Sequence, residues 1–195
     1  TLFRSVMRVT TGKLAKLIRP AILAGLLLLP ACTYLPGSEN APPCPLVSTL
    51  GDAEIITRYI DGPGRDLVDL DFTGRISNLS GKCFYEIDDD TGEGVVRVKI
   101  NTEFKMERGA GNKTREAAFE YFVSLLDGDG NVLDKLSFPF TAKYWKNRYV
   151  VTERDAPVEL SIPLTGGLTG DDFSIYVGFQ LNREELDFNR GNIVQ

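Results

Sequence analysis

The chain has 195 residues, 43% of them hydrophobic and 25% charged, a composition typical of globular proteins. It contains no histidine, which removes the commonest general base, the usual activator of serine or cysteine nucleophiles and the commonest zinc ligand. The first 31 residues carry five basic residues and no acidic one, so the remainder holds 17 basic and 27 acidic residues, a net charge of −10; that balance disfavours nucleic acid, whose phosphates require a basic footprint.

Residues 1–6 precede the first methionine, Met7, and read as a non-native extension resembling a translated sequencing adapter, the alternative being a genuine upstream start. A basic run follows (Arg8, Lys13, Lys16, Arg19), and then an apolar stretch from Ala21 to Leu29 broken only by Gly25. As a helix that stretch would rise about 14 Å, against roughly 30 Å of bilayer hydrocarbon. Residues 7–31 therefore read as an export signal rather than a permanent span. The signal ends in Leu29-Pro30-Ala31-Cys32, which resembles the lipobox of bacterial lipoproteins, with Pro30 departing from the usual small or β-branched residue. The resemblance implies a diacylglyceryl group on the Cys32 sulfur and cleavage after Ala31. Thr33, where enteric inner-membrane lipoproteins carry aspartate, implies passage to the outer membrane with the domain facing the periplasm. The membrane is thus an expected partner, reached through two or three acyl chains.

With Cys32 lipidated, Cys44 and Cys83 remain as an even pair in an oxidising compartment and are expected to form a disulfide. Residues 32–45 contain Pro36, Gly37, Pro42, Pro43 and Pro45 and read as an extended tether.

Residues 46–195 read as one all-β domain. Three stretches alternate strictly between apolar and polar residues: Val68–Ser77, Val96–Glu107 and Phe173–Leu181. Such period-two patterning sets one row of side chains on a core and the other in water. Shorter runs are Cys83–Ile87, Phe119–Leu126, Val132–Phe140 and Val158–Leu164. Turn chemistry at 78–81, 90–94 and 127–131 predicts hairpin connections. The expected architecture is a single antiparallel β-sandwich of about seven to nine strands, immunoglobulin-like in arrangement. Pro139 and Pro163 place their runs at sheet edges or bulges. One short helix is expected over Arg183–Phe188, capped by Asn182 with Glu185 at the capping-box position.

The residues that could carry chemistry are few. Asp127-Gly128-Asp129-Gly130-Asn131 begins like a calcium loop, but Val132 and Phe138 stand where a glycine and a carboxylate are required. A hairpin turn accounts for it without a metal. Asp88, Asp89, Asp90 and Glu93 read as a solvated turn. Neither a cofactor nor a metal is expected. The most distinctive segment is Lys143, Tyr144, Trp145, Lys146, Asn147, Arg148 and Tyr149, which sets the only tryptophan and two tyrosines among three cations. It is the candidate surface for an envelope protein or glycan partner; the alternative is a strand with its aromatics in the core. The functional expectation is a non-enzymatic binding or scaffolding module anchored by lipid in the cell envelope. Its rivals are a carboxylate-dependent glycan hydrolase and a small-ligand carrier.

Overall fold

The structure is a computed structural model that describes residues 42–193. The expected export signal, Cys32 and most of the expected tether lie outside the described residues. Nine strands form two sheets: β1 (Leu46–Thr49), β2 (Ile55–Tyr59), β3 (Leu70–Ile87), β4 (Gly94–Arg108), β5 (Glu116–Leu126), β6 (Val132–Lys143), β7 (Val150–Arg154), β8 (Val158–Leu164) and β9 (Ser174–Phe179). One helix, α1 (Arg183–Ile193), follows. The first sheet has the order β1-β9-β5-β6, and the second runs β2-β3-β4. The far edge of β4 is shared by β7, along Glu103–Glu107, and β8, along Gly94–Ile100.

The long alternating stretch becomes β4, and its even-numbered residues from Val96 to Met106 all point inward and are buried. Phe104 is the bolt between the sheets. Its ring lies 5.1 Å from Phe119, 5.0 Å from Tyr121, 5.3 Å from Phe140 and 5.6 Å from Phe179, all on the opposite sheet. The outer face of the second sheet is polar and laced with ion pairs, Arg97–Glu86, Lys99–Glu159 and Arg154–Glu103 among them. Pro139 lies in β6 and Pro163 in β8, each at a sheet edge where no ladder donor is missed.

Three expectations are corrected. The domain is not purely antiparallel, because β1 pairs with β9 in parallel. Residues 78–81 do not form a turn, and β3 runs through them as one 18-residue strand. The turn-like composition from Ser77 to Gly81 serves two other needs. Ser77 is the extra residue of a bulge, its hydroxyl donating to Glu103 O at 3.2 Å. Gly81 leaves room for β1, since a Cβ there would stand 2.6 Å from a Val47 methyl. The helix, finally, is longer than its apolar pattern suggested. Its capping box forms as expected: Asn182 N–H donates to Glu185 Oε2 and Glu185 N–H to Asn182 Oδ1, each at 2.9 Å. Asn189 then extends the anchoring, donating to the carbonyls of Asp52 and Ile55 at 2.9 and 2.8 Å.

The disulfide between Cys44 and Cys83 is present, with Cα atoms 5.7 Å apart. It fixes the residues leading into β1 to the second sheet. Tyr85 reinforces the junction: its hydroxyl donates to the Pro43 carbonyl and accepts from Gly170 N–H at 2.9 Å.

Candidate functional site

The strand registers define two ends of the domain. Leu46, Ser174 and Leu126 are neighbours in the first sheet, so the chain enters beside the β5–β6 turn at 127–131. The β3–β4 turn at 88–93 lies at the same end, since Cys83 is tied to Cys44. At the opposite end Glu116 pairs with Lys143, and Phe72 with Arg108. Two connections cross there between the sheets: residues 109–115, from β4 to β5, and residues 144–149, from β6 to β7. They are joined by Tyr144 N–H donating to Arg115 O at 2.9 Å. With 15 residues at about 3.3 Å each, β4 alone separates the two ends by roughly 45 Å.

Charge is divided between these ends. The chain-entering end has Asp88, Asp89, Asp90, Glu93, Asp127, Asp129, Asp171 and Asp172 in its turns and no cation among them. These carboxylates hold turns together. Asp127 accepts from Asp129 N–H at 3.0 Å and Asn131 N–H at 2.8 Å, and from the Asn131 amide at 3.0 Å. The Asn131 amide and backbone hold its carboxyl below the usual range. The hairpin thus accounts for the D-x-D-x-N pattern. At the distal end, residues 108–116 and 143–149 carry Arg108, Lys113, Arg115, Lys143, Lys146 and Arg148 against a single carboxylate, Glu116. The described residues hold 17 basic and 26 acidic side chains in all, so these two connections reverse the domain's balance, with Asp69, Asp71 and Glu153 adjoining them at the same end.

The distal end brings together most of the sequence candidates and separates one. Trp145 and Tyr149 are 67% and 66% exposed, and Lys143, Lys146 and Arg148 also face solvent. Tyr144, expected in the same surface, is only 2% exposed and belongs to the core. The reason is register: Ala142 points inward from β6, and the alternation persists two residues further before the chain turns. Burial, and then the nearby Asp71 carboxylate, raises the Tyr144 phenol above its ordinary pKa. Lys143 is tied to Glu116 at 3.4 Å. Among the described residues, the side chains of Lys113, Arg115, Lys146 and Arg148 have no ion-pair or hydrogen-bond partner. Lys113 and Arg115 were not legible as site residues. Only the strand pairing brings their loop beside 144–149.

Two further features give the surface form. Arg115 and Lys146 are the non-glycine residues with positive φ among the described residues, at 60° and 56°. Each such conformation costs about 1–2 kcal/mol in an L-residue, so both loops are held in tight, specific shapes by their surroundings. The ring of Tyr149 lies 5.9 Å from the Arg108 guanidinium, which fixes its orientation. Trp145, Lys146, Asn147 and Arg148 form one wall of an open groove of about 680 Å³, and Val151, Thr152 and Glu153 of β7 form the other. Replacing Trp145 with alanine should leave stability nearly unchanged, whereas Tyr144→Ala should lose about 3–5 kcal/mol through vacated core volume. Urea titration of the two variants checks both; a large loss for Trp145→Ala would place the indole in the core.

A second concavity, about 420 Å³, lies between β2 and α1 and is lined by Arg58, Tyr59, Ile60, Arg65, Glu184 and Glu185. Its arginines and glutamates are mutually engaged, and Asp61 also lines it. Arg58 Nε donates to Glu185 Oε1 at 2.9 Å, and Arg65 Nη2 to Glu184 Oε2 at 3.0 Å. Glu184 is held below its ordinary pKa by the Arg65 hydrogen bond. A glycosidase acid requires the opposite shift, so this pair is better suited to clamping α1 against β2. Comparison with known protein families, curated proteins and solved structures finds no match.

Proposed function

We propose that this chain is a non-enzymatic, lipid-anchored module of the cell envelope that contacts another envelope component through its distal, basic-aromatic end. The observation that carries this reading is the opposition of the two ends: the chain enters at an acidic end pinned by the disulfide, and the exposed tryptophan and unpaired cations lie at the other. Lipid on Cys32 would set the acidic end towards the bilayer and present the distal end outward. Twelve tether residues from Cys32 to Cys44 would reach roughly 37 Å when extended.

The disulfide supports an oxidising compartment, where such bonds persist. Thr33 favours the outer membrane with the domain facing the periplasm. The two sheets and their crossover connections suit an immunoglobulin-like reading of the sandwich. Architecture alone carries no activity, and the function rests on the distal surface.

The anchoring is tested by metabolic labelling with a clickable palmitate analogue. Wild type should be labelled and Cys32→Ser should not; equal labelling would remove the anchor from the proposal. Contact through the distal end is tested by a photo-crosslinking amino acid at position 148. It should trap an envelope component in native membranes, and the same probe at position 90, at the acidic end, should not.

A further inference from the structure

We infer that the distal groove is a binding site for an acidic polysaccharide, with Trp145 stacking on a sugar ring, Lys146 and Arg148 of the groove receiving its anionic groups, and Lys113 and Arg115 on the adjoining connection taking those that extend beyond it. This deepens the reading of the same end as a contact surface and rests on it. Charge complementarity identifies the occupant's sign. Among the described residues, Lys113, Arg115, Lys146 and Arg148 have no side-chain partner, and they stand on two adjoining loops, near Asp69, Asp71 and Glu153, in a domain whose described residues sum to −9. Left alone they repel one another, and a polyanion would relieve that repulsion while being steered to this end by the domain's own charge asymmetry.

The rest of the lining points to a carbohydrate. Trp145 is exposed in the lining of an open groove, which also holds Asn147, Thr152 and Glu153, side chains that can exchange hydrogen bonds with hydroxyl groups. A sugar has this dual character, apolar on its C–H face and polar at its edge. An acidic protein partner would call for a larger contiguous apolar centre than one indole with Tyr149 and Val150 beside it. The only carboxylate in the groove, Glu153, is already engaged, accepting from Lys143 N–H at 3.1 Å. The unusual backbone of Arg115 and Lys146 means that the loops are shaped before any ligand arrives, so less ordering entropy opposes binding.

Trp145 is the only tryptophan in the chain, so intrinsic fluorescence reports directly on this groove. The experiment uses the full chain in neutral detergent, titrated with polygalacturonate, with dextran of similar length as the neutral control. Polygalacturonate should shift the emission to shorter wavelength and protect it from iodide quenching, and dextran should do neither. The double variant Lys146→Glu/Arg148→Glu, which keeps the reporter, should bind at least tenfold more weakly. Lys135→Glu, on β6 away from this end, should bind as wild type. Added salt should weaken binding, as expected for exposed charges. An equal response to dextran, or no response to polygalacturonate, overturns the inference. So does an unweakened double variant, or a blue shift given only by phosphatidylglycerol vesicles. If the probe at position 148 traps an envelope protein while polygalacturonate leaves Trp145 unchanged, the ligand class is wrong and the contact surface stands. If neither occurs, both fall.

Discussion

Replacing Phe104 with alanine should destabilise the domain by about 3–5 kcal/mol, at the upper end of what a single core truncation does. Phe104 projects from β4 in the second sheet, and four aromatic rings of the first sheet meet it within 5.6 Å. Two terms add. The removed ring loses its transfer free energy, and the space left is bounded by Phe119, Tyr121, Phe140 and Phe179, which are held by strand pairing and can close only part of it. The contrast is Phe84, also aromatic and also in the second sheet but on its outer face and 61% exposed. Phe84→Ala should cost well under 1 kcal/mol. Urea unfolding of both variants checks the pair, and equal losses would mean that the inter-sheet contacts are not what holds the sandwich closed.

That contrast was legible in the sequence, because Phe104 falls on the apolar phase of a long alternating run. Long strands with one wet face announce themselves by period two, and β4, β9 and the first half of β3 follow from it, while β5, β6 and β8 were read from shorter apolar runs between turns. Shorter strands do not. β1, β2 and β7 have four or five residues each, too few for alternation to rise above chance, and their places are set by pairing with β9, β3 and β4. Asn78–Gly81 misled for a different reason: Gly81 suits a close crossing by Val47 as well as it suits a turn. At the distal end, composition identified the segment 143–149 but could not divide it. Tyr144 and Trp145 are adjacent aromatics, and only the register inherited from β6 sends one inward and the other out. Lys113 and Arg115 carried no signal of their own, since what makes them part of the surface is a crossover between sheets.

Removing the Cys44–Cys83 bond should lower stability by about 4 kcal/mol, the chain-entropy value for a closed loop of this size. The bond spans 39 residues of sequence, and that loop contains all of β1 and β2 and most of β3. In the unfolded chain it forbids most arrangements of those residues, so reduction stabilises the unfolded ensemble more than it alters the folded one. The folded state also has a local stake in the bond. β1 is a four-residue edge strand whose pairing with β9 is its only ladder, and Leu46 at its start is exposed. Without the bond its beginning is held chiefly by the Tyr85 hydroxyl at Pro43 and by Val47 against Gly81. The Cys44→Ser/Cys83→Ser variant should therefore unfold at lower urea and show its greatest gain in amide exchange along β1 and the neighbouring edge of β9. For a domain of this size the midpoint of thermal unfolding should fall by about 8–16 °C. A loss below about 1 kcal/mol, with β1 still protected, would show that β1 is secured by its own packing and that the bond does little for the fold. If instead β1 alone opens while the sandwich core keeps its protection, the bond acts as a clamp that keeps the residues leading into β1 from peeling away the first strand.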